Sequence, residues 1–122
     1  MDLLHRDGFM NINQSQSGAA TILFIKGVIK LSESGKQLSD RLKTLLDTGA
    51  QTVLIDLSEV DEVDSTGLGE LVGYLQLFSK KGRRLAIVKP TAKVQRLFEF
   101  MNLHKVMPIY GDMNEALAGE KA

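Results

Sequence analysis

Cysteine is absent from the 122-residue sequence. Without thiols the chain has no disulfides, no thiolate catalysis and no cysteine-based metal sites, and this composition fits a reducing compartment. Long apolar runs are also absent. None approaches the roughly 18 residues needed to cross a bilayer, and residues 1–9 lack the apolar stretch of a signal peptide. We therefore expect a soluble, cytoplasmic protein without direct membrane insertion.

Net charge is lacking as well, because the 15 basic and 15 acidic side chains cancel at pH 7. A neutral chain has no bulk electrostatic reason to bind nucleic acid or an anionic membrane. The two histidines, His5 and His104, make a poor metal site without cysteine. Neither has a sequence reason to lie near Ser65 as a catalytic base. We expect no nucleic-acid partner, no metal, no cofactor and no enzymatic activity.

The composition that remains suits one compact domain, because 43% of the residues are hydrophobic and the length is typical of a single domain. Short apolar runs rich in β-branched residues predict strands over 9–14, 20–29, 52–57, 84–88 and 106–110. Helical spacing of apolar residues predicts helices over about 34–48, 65–80, 91–101 and 113–118, with an acidic loop over 58–64.

The order ββαβαβαβα predicts an α/β fold with a mostly parallel sheet, an antiparallel edge hairpin at the N-terminus and flanking helices. The expected boundaries are a flexible N-terminus over 1–8, one domain over 9–118 and a C-terminal tail over 119–122.

The richest junction for chemistry lies around residues 64–69, where a strand leads into a helix. Parallel sheets gather function at the carboxyl ends of their strands, beside helix N-termini. Ser65 and Thr66 stand at such a start, where free N–H groups favour an anion such as phosphate. The simpler interpretation is that Asp64 or Ser65 only caps the helix.

Two glycines, Gly67 and Gly69, fall in the first turn of this predicted helix. Each costs about 1 kcal/mol relative to alanine inside a helix, so a close approach to the backbone is expected there. Either a neighbouring strand packs tightly against the helix start, or a partner or phosphate approaches it. The sequence leaves both explanations open.

The hexapeptide Asp64-Ser65-Thr66-Gly67-Leu68-Gly69 matches the signature D-S-[ST]-G-[LI]-[GA]. It resembles the bacterial anti-sigma-factor antagonists of the STAS family, which also includes the cytosolic domains of sulfate transporters. Residues 84–89 and 94–106 are similar to a family strand and to the family's late helix. The resemblance covers about residues 10–118 and implies a single STAS-type domain.

This resemblance implies that Thr66, the hydroxyl directly before the glycine, is the phosphorylated residue, with Ser65 as the second choice. Asp64 matches the acidic residue that shapes the site. The unphosphorylated protein would bind an anti-sigma factor with serine/threonine kinase activity, phosphorylation would release it, and a phosphatase would restore it. The protein would be a monomer or weak dimer. The implied partner-binding residues are Asp64, Ser65, Thr66, Gly67, Leu68, Gly69, Glu62 and Lys30.

Lys30 is a departure from the family pattern, which usually carries an acidic residue after G-x-[LIV] where this chain has Gly27-Val28-Ile29-Lys30. The change puts the usual partner and kinase in doubt, unless Lys30 is a neutral surface substitution. Other members of the family are accessory or scaffold subunits of transporters or stress-sensing complexes. That role is the alternative for this chain, and its gene neighbours would discriminate the two.

Two other folds come near to the pattern. The glycines at 67, 69 and 73 miss the dinucleotide-binding spacing by one residue. A response-regulator receiver would use Asp56 and Lys89, but the sequence lacks the acidic pair that holds its magnesium ion. We therefore expect Asp56 to be a strand-end residue bonded to a nearby loop.

Overall fold

The computed structural model describes residues 10–29 and 33–119. Their order is two strands followed by alternating helices and strands, as the sequence predicts. The strands are β1 Met10–Ser17, β2 Ala20–Ile29, β3 Thr52–Val63, β4 Arg84–Val88 and β5 Ile109–Tyr110. The helices are α1 Glu33–Asp47, α2 Ser65–Lys80, α3 Ala92–Phe100 and α4 Met113–Gly119, with a short 3-10 helix at Leu103–Lys105.

The sheet has the strand order β1-β2-β3-β4-β5. Strand β1 runs antiparallel to β2, and the other neighbouring strands are parallel. This confirms the predicted α/β fold with an antiparallel edge hairpin. Because β2 to β5 are parallel, their carboxyl ends meet at one edge of the sheet, and the start of α2 lies at that edge.

The two faces of the sheet are covered unequally. Apolar side chains of α1, α2 and α3 join one large core against the first face, whereas α4 builds a smaller cluster on the second face. Right-handed crossovers between successive neighbouring strands put the intervening helices on the same face. The predicted apolar stripe of α1 is buried in the large core, at Leu38, Leu42, Leu45 and Leu46.

The prediction of an acidic loop over 58–64 was wrong. Strand β3 continues to Val63 and pairs in parallel with β2 as far as Ile29. The register shifts twice, so β3 carries an extra residue at each of two bulges. The bulges turn Val60 and Val63, three residues apart, toward the same core. That spacing breaks the two-residue alternation by which strands are recognised.

The region after α3 also differs from expectation. The helix ends at Phe100, and Asn102 adopts a left-handed conformation with φ of 59°. A 3-10 helix follows, so the last strand is only Ile109–Tyr110 rather than 106–110. Met101, the last residue of the predicted helix, lies beyond α3 and is exposed.

The C-terminal end of the last helix differs slightly from its predicted position. Helix α4 includes Gly119, one residue beyond the predicted helix. Residues 1–8, Lys30 and 120–122 lie outside the described residues, so the expected tails and the Lys30 prediction stay predictions. No helix within 10–29 and 33–119 is long and apolar enough to span a membrane.

Candidate functional site at the start of α2

Asp64 caps helix α2. Its backbone is extended, with φ of −88° and ψ of 169°, and its Oδ1 accepts a hydrogen bond from the Gly67 N–H at 2.7 Å. Its own N–H donates to the carbonyl oxygen of Ile29 at 3.1 Å. The capping interpretation is confirmed for Asp64, and the same residue ties the helix start to the end of β2.

Ser65 and Thr66 are the first two residues of α2, and both are exposed. The side chain of Asp64 accepts the N–H of Gly67, the third residue of α2. The first turn of α2 contains no acidic side chain, and the partial positive charge of a helix N-terminus favours an anion. The Thr66 hydroxyl is therefore accessible at a position whose electrostatics tolerate an added anion.

Gly67 and Gly69 occupy different surroundings although they are two residues apart. A Cβ at Gly67 would lie 3.1 Å from Ile29 Cγ2 and 3.2 Å from the Ile29 carbonyl oxygen. A Cβ at Gly69 would meet nothing within 4 Å, and the residue is exposed. Tight packing against a strand therefore explains Gly67, whereas the fold of this chain provides no packing reason for Gly69.

Leu68 completes the hexapeptide and is fully buried in the large core. The six residues thus divide by their surroundings. Asp64, Gly67 and Leu68 hold the first turn of α2 in place through a cap, a close backbone contact and a buried side chain. Ser65, Thr66 and Gly69 form an exposed surface, and we name this trio the α2 surface.

Acidic side chains precede the α2 surface on the last part of β3. Glu59, Asp61 and Glu62 are exposed. Glu62 pairs with Lys93 of α3, with 3.8 Å between Oε2 and Nζ. Both partners are about half or more exposed, so this ion pair contributes little to stability. Lys93 is a residue that the sequence analysis did not single out, because pairing between separate elements leaves no local pattern.

Asp56 lies in the interior of β3 and is only 5% exposed. Its Oδ1 accepts hydrogen bonds from the Ser58 N–H at 2.9 Å and from the Ser58 hydroxyl at 2.7 Å. Its Oδ2 lies 3.5 Å from Lys89 Nζ. Asp56 is therefore not at a strand end, and its hydrogen bonds go to Ser58 of the same strand and not to a loop. The ion pair with Lys89, which lies just after β4, was missed because it joins separate segments of the chain and leaves no local pattern.

Replacing Asp56 with alanine should lower the free energy of unfolding by about 1–3 kcal/mol, because the Ser58 N–H loses its acceptor. Urea denaturation of Asp56→Ala beside wild type measures this loss. The exposed Glu59 supplies the control, and Glu59→Ala should change stability by less than about 0.5 kcal/mol. Equal effects at the two positions would contradict a structural role for the buried carboxylate.

Metal binding receives no support from this part of the molecule. Within the described ranges, no group of three or more histidine, aspartate or glutamate side chains is arranged to hold a metal ion. The expected absence of a metal and of enzymatic activity stays a prediction.

The sequence is similar to a known protein family and to several bacterial proteins. The family described as "Mlab, STAS domain" matches residues 12–110. The anti-sigma F factor antagonist of Paenibacillus polymyxa is 30% identical over 100 residues, which cover 75% of this chain and 86% of that protein. A Thermotoga neapolitana protein assigned as an anti-sigma factor antagonist is 36% identical over 72 residues, covering 59% of this chain. The matched segment spans 64% of the Thermotoga protein, less than two thirds of its length.

The folded structure agrees with the sequence matches. A crystal structure from Thermotoga maritima, of a protein assigned as an anti-sigma factor antagonist, superposes with a TM-score of 0.85 at 25% identity. The superposition covers 91% of this chain and 95% of that one. Since the family match spans residues 12–110, most of the chain, and the superposition reproduces the fold over 91% of it, this chain belongs to the STAS domain family.

Proposed function

We propose that this chain is an anti-sigma factor antagonist, a cytoplasmic binding protein without enzymatic activity that contacts an anti-sigma factor through the α2 surface. The names of its relatives from Paenibacillus and Thermotoga support this role. The observation that carries the proposal is the exposed Thr66 hydroxyl in the first turn of α2. A kinase can reach it there without unfolding the domain.

Phosphorylation of Thr66 is the proposed switch. A phosphate adds about −1.5 to −2 charges at neutral pH. It enters a surface already made acidic by Asp61, Glu62 and Asp64. A partner that accepts the neutral hydroxyl would then face a large anion, and like charges brought together at an interface cost several kcal/mol. Release of the partner follows from this local change of charge.

The fold need not change during the switch. The first turn is held by the cap at Asp64, the close backbone contact at Gly67 and the buried side chain of Leu68. The helix N-terminus favours rather than opposes an added anion. The two states therefore differ at the surface, and an anti-sigma factor with kinase activity and an opposing phosphatase would set their ratio.

Thr66→Glu should weaken binding to the anti-sigma factor by about 100-fold or more, while the melting temperature stays close to that of wild type. Wild type and Thr66→Glu serve as parallel baits in the native lysate, with mass spectrometry of the retained proteins. Gln76→Glu is the matched control, since it adds the same charge to an exposed position about three turns further along α2. In a second measurement, Thr66→Ala and Ser65→Ala are each incubated with the lysate and ATP. The phosphorylated residue of each variant is then mapped.

The proposal gains support if a kinase-like ATPase is retained by wild type and Gln76→Glu but lost from Thr66→Glu. Phosphate on Ser65 alone would move the switch by one residue. If all three baits retain the same transporter or complex subunits, the accessory or scaffold role replaces antagonism of an anti-sigma factor.

A further inference from the structure

Strand β1 is the outermost strand of the sheet that the described residues form. It pairs with β2 through all eight of its residues, Met10 to Ser17, without a register shift. Among the described residues no strand pairs with its other side. The outer side of β1 therefore presents a straight row of backbone groups that another strand can bond.

Natural edge strands usually carry a device that prevents such pairing, such as a lysine, a proline, a bulge or a short length. The sequence of β1, MNINQSQS, has none of these. It contains no charged residue and no proline, it is unbulged, and it is longer than the average strand of five to six residues. The opposite edge strand, β5, has only two residues.

A groove of about 430 Å³ runs beside β1. Met10 and Ile12 of the strand line one side of it, and α1 lines the other with Gln37, Asp40, Arg41 and Thr44. Arg41 donates to Gln14 Oε1 at 3.1 Å across this groove. The space lies where the side chains of an added strand would project, and its lining of one carboxylate, one guanidinium and neutral polar groups suits amide side chains.

We propose that the occupant is a second copy of this chain, with the two β1 strands antiparallel across a two-fold axis in one continuous sheet. An isologous contact requires a surface that complements itself. Two uncharged β1 strands meet this condition without like-charge repulsion. Each strand also carries Gln14 and Gln16, whose amides both donate and accept hydrogen bonds in the polar groove of the other copy.

Strand geometry limits the register of this pair. Residues directly opposite each other in antiparallel strands point to the same face, so the numbers of facing residues must sum to an even value. The two registers that keep the strands centred on each other place either Asn13 or Gln14 on the two-fold axis. A Gln14 axis would bring both copies of Arg41 together, since Arg41 bonds Gln14. The repulsion of two guanidinium groups favours Asn13 facing Asn13 of the second copy.

This contact is independent of the proposed partner site. Strand β1 is the outermost strand, two strands away from β3, which leads into the α2 surface. Asn13 is exposed, and its partner on β2 is Phe24. Loss of the β1 contact should leave partner binding through Thr66 unchanged, so the two proposals fail separately.

Single cysteines in this cysteine-free chain provide a direct test. Facing residues in an antiparallel pair have Cα atoms about 4.5–5.5 Å apart, within the range of a disulfide. Under mild oxidation, full-length Asn13→Cys should form a covalent dimer. In this register, position 11 of one copy faces position 15 of the other. Neither Asn11→Cys nor Ser15→Cys should therefore form a covalent dimer alone, but an equimolar mixture of these two variants should cross-link.

Light scattering after size exclusion provides a second measurement without cysteine. The molar mass of wild type should rise above 13.4 kDa with concentration, and Asn13→Lys should remove the rise because two ammonium groups would meet on the axis. Gln76→Lys is the control, because Gln76 is an exposed residue of α2. This variant should behave as wild type. A monomeric wild type up to millimolar concentration, or equal cross-linking at positions 11, 13 and 15, would overturn the proposal.

Discussion

Gly67→Val should lower the free energy of unfolding by about 2 kcal/mol. A Cβ at this position already falls 3.1 Å from Ile29 Cγ2 and 3.2 Å from the Ile29 carbonyl oxygen, and valine adds two further methyl groups. The nearer obstacle is the methyl group on Cβ of the buried Ile29, and the second is backbone that also accepts the Asp64 N–H. Overpacking of this kind costs about 1–3 kcal/mol.

The matched control is Gly69→Val, in the same turn of the same helix. Since a Cβ there meets nothing within 4 Å, the substitution should change stability by less than about 0.5 kcal/mol. Valine is a somewhat better helix former than glycine, which offsets the loss of side-chain freedom. Urea denaturation of both variants measures the difference.

Partner binding should respond to the two substitutions in the opposite way to stability. Under the proposed function, Gly69→Val places a branched side chain on the α2 surface and should weaken capture of the partner although the fold is intact. Gly67→Val should weaken capture only as far as it unfolds or displaces the first turn. Equal stability of the two variants would show that Ile29 moves aside, and the packing explanation for Gly67 would then fail.

Leu68→Ala should be more destabilising, by about 2–5 kcal/mol, because Leu68 is fully buried in the large core. Single domains have net stabilities of about 5–15 kcal/mol, so this one change removes a large part of the margin. We expect the melting temperature to fall by roughly 10 °C. Thermal unfolding followed by circular dichroism checks this result.

Leu77 on the same helix is the control, since it is 42% exposed. Leu77→Ala removes the same atoms from a site already in contact with water and should cost less than about 1 kcal/mol. A similar cost at the two positions would contradict the assignment of Leu68 to the core. With the expected difference, the signature leucine anchors the helix turn that carries Thr66.

Much of the architecture follows from local features of the sequence. The helical spacing of apolar residues predicted a helix over about 34–48 that the structure reproduces as α1, and Gly49 just after it adopts a left-handed conformation with φ of 92°. Gly82 closes α2 in the same way, with φ of 71°. These features can be recognised in advance because helix periodicity and termination depend on residues within a few positions of each other.

The sequence by itself also determined the family and the chain position of the candidate site, because the hexapeptide at 64–69 is continuous. Contacts between distant segments were decided only by the tertiary structure. Ile29 separates the roles of Gly67 and Gly69, Lys89 reaches the buried Asp56, and the bulged pairing with β2 turns the expected acidic loop into strand. Each depends on a residue more than 25 positions away in the chain, and no local pattern specifies such a partner.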